Sequence, residues 1–194
     1  MKVKFENTLE GKFITLKKTT LEDAPLIYNW RTSSSGEHMR HPENYSLKMQ
    51  EEWIKSRGEN EINYIIIDKK NNDKVGTISI YEVNEADRVA NVGRLLLDEK
   101  YFNKSTPYGL EALLLTYEYL FDKMNFRKMT GDILATNIAM YKLQVFLGMN
   151  QEGYLKRHVL INGKEHDLYI MSILKEDFEK YYKPKIFFLL RNFK

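Results

Sequence analysis

The residues with the clearest chemical potential form one loop that leads directly into a long helix. The loop spans residues 98–109, and leucines and aromatic residues recur at helical spacing over the next twelve positions. A loop that opens a helix directs unpaired backbone N–H groups and the positive end of the helix dipole at one point. This arrangement favours a bound anion, above all a phosphate group.

A second pair of polar residues lies further along the chain. Asn137 and Tyr141 are four residues apart in a predicted helix, so they share one face. Taken alone, Asn137 reads as a helix N-cap and Tyr141 as part of an amphipathic face. His166 and Asp167 are neighbours in a predicted strand and therefore point to opposite faces, which argues against a catalytic pair.

The elements that position these residues are typical of an α+β domain. The predicted order is strand, two helices, three strands, helix, strand, helix and two strands, which gives one mixed sheet flanked by helices. Residues 1–10 read as a lead-in without regular structure. Asn162-Gly163 predicts a tight hairpin turn between the last two strands. We expect a single domain over residues 1–180.

Residues 181–194 form a separate apolar and basic tail. Four cations surround the apolar run 186–190; they are Lys183, Lys185, Arg191 and Lys194. We expect this tail to pack on its own domain or on a partner subunit, so a homodimer is one expectation.

The composition excludes several classes of function. The chain has 194 residues, no cysteine and a formal net charge of +3. Disulfides and thiolate chemistry are therefore excluded, and no basic stripe with interleaved aromatic residues indicates nucleic acid. Four scattered histidines lack metal-ligand spacing. Without a secretion signal or an apolar run long enough to span a membrane, we expect a cytoplasmic protein.

Several stretches together resemble the GCN5-related N-acetyltransferases (GNAT), within them the branch of ribosomal-protein and sugar-nucleotide N-acetyltransferases. The likeness extends over residues 9–180. The stretches that carry it are 9–16 with 20–24, 28–31, 93–97, 111–115, 137–141, and Asp167 with Met171. The resemblance implies the GNAT fold, with a splayed strand pair and a C-terminal hairpin. It also implies acetyl transfer from acetyl-CoA, the co-substrate, to a primary amine without a metal.

The resemblance also implies roles for individual residues. The acetyl-pantetheine arm would lie beside the strand 93–97, so Leu95 and Leu97 become cofactor-binding residues, with Asn137 as a hydrogen-bond partner of the arm. Tyr141 matches the tyrosine that many members place beside the sulfur. A phenol with a pKa of about 10 can protonate the leaving thiolate. The general base is not identified. Glu82 and Glu111 are compatible with that role, although solvated or capping carboxylates are the commoner interpretation of both. A base is also dispensable for an α-amine with a pKa of about 8, since water can take the proton.

The phosphate loop departs from the family pattern. Members usually carry Arg/Gln-x-x-Gly-x-Gly/Ala, whereas this chain has Lys-Ser-Thr-Pro-Tyr-Gly at 104–109, and Pro107 lacks a backbone donor. The remaining candidates for binding the pyrophosphate are the Lys104 charge and the N–H groups of Ser105, Tyr108 and Gly109. A related loop can still form from these groups, and weakened coenzyme binding is the alternative that stays open.

The first helix and the loop after it resemble acetyltransferases of bacterial nonulosonic acid pathways, which act on an amino sugar linked to UDP. This resemblance implies that Arg31 and Arg40 meet a diphosphate and that Trp30 or Met39 packs on a uracil or sugar face. Arg157 would line the same cleft. The competing interpretation buries Trp30 in the core and pairs both arginines with glutamates.

The predicted acceptor is therefore an anionic amino sugar nucleotide, and three alternatives stay open. One is acetylation of a peptide N-terminus, as in ribosomal-protein members. Another is acetylation of a small amine, although a polyamine would favour an acidic cleft. The third is a non-catalytic module that binds acyl-CoA.

Overall fold

The computed structural model describes residues 4–33, 36, 38–40, 42, 44–102, 106–161 and 163–193. Within these residues, eight strands form one sheet with helices on both faces. The strands are β1 Thr8–Glu10, β2 Ile14–Lys18, β3 Ile62–Asp68, β4 Lys74–Asn84, β5 Val89–Leu97, β6 Lys128–Leu134, β7 Asn150–Ile161 and β8 Lys164–Leu174. The helices are α1 Ala24–Thr32, α2 Leu47–Lys55, α3 Tyr108–Glu118, α4 Ile138–Leu147, α5 Lys175–Asp177 and α6 Lys183–Arg191.

The strand order across the sheet is β1-β2-β3-β4-β5-β6-β8-β7. The pair β5 and β6 is parallel, and the other neighbouring pairs are antiparallel. The mixed α+β sheet predicted from the sequence is therefore confirmed. The lead-in differs from the prediction, because residues 8–10 pair with β2 as the edge strand β1.

The two faces of the sheet bury different helices because side chains alternate along each strand. On one face, Tyr64 and Ile66 of β3 join the main core beneath α3, α4 and α6. On the other face, Ile65 packs with Ile27 and Trp30 of α1. The sheet is thus covered on both sides over its central strands.

Glu111 ties the first hairpin to α3. Its carboxylate accepts backbone N–H groups from Lys12 at 2.6 Å, Phe13 at 2.9 Å and Ile14 at 3.0 Å. Gly11 makes this approach possible, since a Cβ there would lie 2.8 Å from Glu111 Oε1. Burial raises the pKa of the Glu111 carboxyl, and the three N–H bonds oppose that effect. The carboxylate is committed to the fold, so Glu111 is corrected from candidate base to structural residue.

The chain after β8 packs against α3 and α4 instead of extending away. Tyr182, Ile186 and Leu190 are buried in the main core. Lys183 contributes two ion pairs to the α3 region, 3.0 Å from Glu118 and 3.1 Å from Asp122. The C-terminal segment, residues 175–191, is therefore part of the same core as the sheet.

Candidate active site

The parallel pair of strands separates after three residues. Residues 89–91 of β5 pair with residues 128–130 of β6, and the register ends there. A cavity of about 440 Å³ opens between the diverging strands. Residues 92–95 line it from β5 and residues 131–134 line it from β6. Beyond residue 91, the backbone of β5 has no strand partner on this side among the described residues, so its polar groups can bind a ligand.

A bulge shapes the β5 wall of the cavity. The pairing of β4 with β5 shifts register between Thr77–Leu96 and Ser79–Gly93. Arg94 lies inside this shift with φ of 52°, in the left-handed region that few non-glycine residues adopt. The bulge redirects the chain at the point where the strands part, which exposes backbone groups to the cavity.

The outer end of the cavity combines cations with a carboxylate. We define this end by Arg31, Met39, Arg40, Tyr81 and Asp132, all of which line the cavity. Asp132 Oδ2 forms an ion pair with Arg40, and Asp132 Oδ1 accepts a hydrogen bond from the Tyr81 hydroxyl at 3.3 Å. Burial raises the pKa of Tyr81, which keeps the phenol protonated as a donor.

Among the described residues, Arg31 is the cation of the outer end without a carboxylate partner. Its guanidinium donates to the Arg40 carbonyl oxygen, hydrogen-bonds the Tyr45 side chain and lies over the Tyr45 ring, 5.5 Å from the centroid. The buried Nε has no hydrogen-bond partner among the described residues. Burial lowers the pKa of Arg31, and a guanidinium stays charged nonetheless. This group would gain most from a bound anion.

Arg94 is a cation that the protein already neutralises. Its guanidinium lies 3.1 Å from Glu61 Oε2 and 4.1 Å from the centre of the Tyr81 ring. Glu61 also pairs with Arg57 at 2.8 Å. Trp53 lies beside both arginine side chains, which makes this side of the cavity a packed charge network.

The deep end of the cavity is mostly apolar. We define it by five buried lining residues, which are Leu113, Tyr117, Gln144, Met149 and Met171. The Tyr117 hydroxyl lies 3.7 Å from Met149 Sδ, a weak acceptor. Gln144 supplies the amide of this end and lies on α4.

The predicted phosphate site is described only in part. Lys104 and Ser105 lie outside the described residues. Helix α3 begins at Tyr108, so the N–H groups of Tyr108 and Gly109 belong to its first turn and have no partner within the helix. The Tyr108 side chain is buried, and its hydroxyl lies 3.2 Å from Asp68 Oδ2. Only the backbone of Tyr108 is therefore available to a phosphate.

Two predicted pantetheine contacts lie next to this helix start. Leu95 lines the cavity, whereas Leu97 is not among its lining residues. Side-chain atoms of both leucines lie 3.5 Å from the position that a Cβ on Gly109 would occupy. The structure therefore places β5 against the first turn of α3.

Asn137 and Tyr141 are separated by the structure. Asn137 lines the cavity and also caps α4, because its Oδ1 accepts the Met140 N–H at 3.1 Å. Tyr141 is not among the lining residues. Its ring stacks on Tyr169 with centroids 4.2 Å apart, and its hydroxyl donates to Gln151 Oε1 at 3.0 Å. The acid role of Tyr141 stays a prediction that this geometry does not support.

Replacing Tyr141 by phenylalanine tests that role. We expect kcat to change little, because the hydroxyl donates to Gln151 and Tyr141 is not among the residues that line the cavity. The measurement is kcat with saturating acetyl-CoA and a competent amine. A fall of tenfold or more in kcat, with coenzyme affinity unchanged, would restore Tyr141 as the acid.

Two predicted substrate residues lie outside the cavity. Trp30 is 4% exposed in the core, and its Nε1 donates to Asp98 Oδ2 at 2.9 Å, which removes it from the substrate contacts. Arg157 is exposed on β7 and pairs with Glu165 at 3.4 Å. The structure therefore does not bring Arg157 to Arg31 and Arg40.

The cavity lining includes polar residues that the sequence did not single out, among them Tyr81, Arg94, Asp132 and Gln144. Gln144 follows Asn137 by seven residues, so helical spacing placed both on one face. The other three lie in strands, where a sequence pattern does not show which positions border a gap. Glu82 lines the cavity and accepts a hydrogen bond from Asn91, so it remains a candidate base.

The family is shown by comparison with known proteins. Residues 14–150 match the family model described as the acetyltransferase (GNAT) domain. The uncharacterized N-acetyltransferase YnaD of Bacillus subtilis (strain 168) is 26% identical over 123 residues, covering 63% of this chain and 70% of YnaD. The uncharacterized N-acetyltransferase p20 of Bacillus licheniformis is 23% identical over 177 residues, covering 88% and 98%.

Solved structures share the fold. A GCN5-related N-acetyltransferase from Brucella melitensis superposes with a TM-score of 0.78 and 17% identity, covering 93% of this chain and 85% of that one. The spermidine/spermine N-acetyltransferase SpeG from Vibrio cholerae gives 0.71 and 20%, covering 87% and 96%. At these identities the likeness concerns the fold alone.

The parted strands and the cavity between them define an acyltransferase of the GNAT type. The chain belongs to the GNAT family and is an N-acetyltransferase. Members of this family use acetyl-CoA, and the free β5 backbone with the α3 helix start fits such a ligand. Within the described residues, no group of three or more His, Cys, Asp or Glu could hold a metal ion. No described helix is long and apolar enough to span a membrane.

Proposed function

We propose that this protein transfers acetyl from acetyl-CoA to a primary amine on a molecule that also carries an anionic group. A nucleotide-linked amino sugar is the acceptor that best combines the two groups. The observation that carries this proposal is the Arg40–Asp132 ion pair in the outer end, beside Arg31 Nε, which has no hydrogen-bond partner in the part of the chain that the structure describes. The site thus offers a cation to the anionic group of the acceptor and a carboxylate to its amine.

The ion pair also suggests how the acceptor is selected. An acceptor phosphate can take over Arg40 and Arg31, which releases Asp132 from its partner. Asp132 then faces the amine and can accept the proton that the amine loses on attack. An amine without an anion would leave Arg40 on Asp132, so the base would stay occupied.

The residues around the bulge supply the remaining needs of the reaction. Acetyl-CoA supplies the activated acetyl group when bound, and its candidate contacts are Leu95, Leu97, Lys104, Ser105, Tyr108, Gly109 and Asn137. Backbone N–H groups of β5 near Arg94 can stabilise charge that develops on the carbonyl oxygen. Tyr81 holds Asp132 in position through its hydroxyl.

Calorimetric titration with acetyl-CoA and, separately, with UDP tests this proposal. We expect both to bind, since the outer end would hold the diphosphate and the parted strands the coenzyme. A panel of amines, with and without phosphate groups, then follows. Binding of acetyl-CoA without UDP would exclude the sugar nucleotide, and absence of acetyl-CoA binding would overturn the acetyl-transfer proposal.

A polyamine acceptor is the second candidate. Two carboxylates, Asp132 and Glu82, line the cavity, and a structural relative of the same fold is a spermidine/spermine acetyltransferase. Arg31 opposes this candidate, because this lining arginine has no carboxylate partner among the described residues and would repel a polycation. Turnover of spermidine in the amine panel, with no turnover of phosphate-bearing amines, would favour it.

Replacing Arg31 by alanine tests the anion contact. We expect KM for a diphosphate-bearing acceptor to rise about 10- to 100-fold, because a hydrogen bond to a charged group contributes about 1.5–3 kcal/mol. KM for acetyl-CoA should not change. Arg191→Ala, an exposed arginine at the end of α6, is the control. An unchanged acceptor KM in Arg31→Ala would exclude the proposed anionic pocket.

A further inference from the structure

A buried amide faces the deep end of the cavity. Gln144 is 5% exposed and lines the cavity together with Asn137 and Met140. These three residues are spaced i, i+3 and i+7 along the start of α4, so they form one face of the helix. The helix thus presents the Gln144 amide to the deep end, one turn beyond the Met140 thioether.

The two ends of this amide differ in how well they are satisfied. Gln144 Oε1 accepts a hydrogen bond from the Tyr182 hydroxyl at 3.1 Å. Gln144 Nε2 lies 3.6 Å from Met140 Sδ, its only partner among the described residues. A thioether is a weak acceptor, and an amide nitrogen carries two N–H donors. The cavity therefore contains a buried donor without a strong acceptor.

Tyr182 fixes the orientation of the amide. It belongs to the C-terminal segment, is fully buried, and its ring centroid lies 5.0 Å from that of Tyr117. Burial raises the pKa of Tyr182, so the phenol keeps its proton. Because the phenol donates to Oε1, Nε2 is the other end of the amide and lies beside Met140, which lines the cavity.

We propose that Gln144 donates a hydrogen bond to the coenzyme sulfur and that Tyr182 is its positioning residue. This inference rests on the proposed acetyl transfer. Negative charge develops on two atoms of a reacting thioester, the carbonyl oxygen and the sulfur. The β5 wall provides backbone N–H groups for the oxygen, and the α4 wall provides the Gln144 N–H for the sulfur.

The departure of the thiolate does not require an acid beside the sulfur. As the N–C bond forms and the C–S bond breaks, the sulfur keeps the electron pair, and Gln144 stabilises it by hydrogen bonding. Asp132 receives the proton of the amine, and solvent can protonate the thiolate after release. The hydroxyl of Tyr141, which donates to Gln151, is not required for this step.

The test uses the full chain with free CoA and no acceptor. The thiol of bound CoA is titrated with pH while the ultraviolet absorbance of the thiolate is followed. The variants are Gln144→Leu, which removes the donor at similar size, and Tyr182→Phe, which removes only the positioning hydroxyl. Tyr181→Phe, an exposed neighbour on the same segment, is the matched control.

We expect the bound thiol to have a pKa about one unit lower in the native protein than in Gln144→Leu, a roughly tenfold shift in ionisation. Tyr182→Phe should lie between the two, and Tyr181→Phe should match the native protein. If Gln144→Leu does not fold, Tyr182→Phe carries the test. Equal thiol pKa values in native protein and variants would overturn this inference while the acetyl-transfer proposal stands. Absence of CoA binding to the native protein would overturn both.

Discussion

Glu111→Ala is expected to lower the free energy of unfolding by about 3–5 kcal/mol, because three backbone N–H donors lose their carboxylate acceptor at once. The carboxylate accepts the N–H groups of Lys12, Phe13 and Ile14, and it is only 3% exposed. Alanine leaves these donors without a partner and opens space beside Gly11. The edge strand β1 and the start of β2 should loosen first.

Urea denaturation of the variant and the native protein measures this effect. The unfolding free energies are compared where the two proteins show the same dependence of that free energy on urea concentration. Glu52→Ala is the control, because Glu52 is exposed on α2 and its pair with Lys48 spans 3.9 Å. Such a surface pair contributes less than about 1 kcal/mol. Glu111→Gln retains one acceptor oxygen and should fall between the two. A Glu111→Ala variant as stable as Glu52→Ala would show that the hairpin does not depend on this clamp.

The role of Glu111 also shows what a sequence can and cannot predict. Its helix was predictable, since leucines recur at helical spacing around it. Its partners are 97 to 99 residues earlier in the chain, and no local pattern connects them. A carboxylate near a helix start was therefore a candidate base from the sequence, although it accepts three backbone N–H groups in the structure.

The position of the cavity was predictable from the sequence, but most of the side chains that line it were not. The family resemblance located the gap along β5, and Leu95, Asn137, Arg31, Met39 and Arg40 do line it. The identity of the residues opposite depends on where two strands part. Asp132 lies two positions after Thr130, the last residue of β6 that pairs with β5. Only the tertiary structure shows where this pairing ends. Trp30 was misassigned because an aromatic residue beside an arginine fits a ligand site and a core equally well.

The C-terminal segment was also underestimated from its composition. A basic, apolar stretch reads as a tail that needs cover, yet it brings Tyr182 against Gln144. The family model ends at residue 150, so Tyr182 lies outside the matched residues.

Asp132→Asn is expected to have the largest effect on activity. Asparagine preserves the size of the side chain and can still accept from Tyr81, but it cannot take up a proton and carries no charge for Arg40. General base catalysis contributes about 10²- to 10⁴-fold, so kcat should fall within that range if Asp132 takes the amine proton. KM for acetyl-CoA should remain near the native value.

Glu82→Gln provides the matched comparison, because Glu82 is the other carboxylate candidate that lines the cavity. Steady-state kinetics of both variants on the same acceptor distinguish three cases. A large fall for Asp132→Asn alone assigns the base to Asp132, and a large fall for Glu82→Gln alone assigns it to Glu82. If both variants keep native kcat, water removes the proton, and the Arg40–Asp132 pair then serves acceptor recognition without proton transfer.

An α-amine with a pKa of about 8 is already partly neutral near pH 7.5, whereas an alkylamine near the lysine value of about 10.4 is not. The size of the Asp132→Asn effect should therefore grow with the basicity of the acceptor, and an effect independent of basicity would argue against Asp132 as the base.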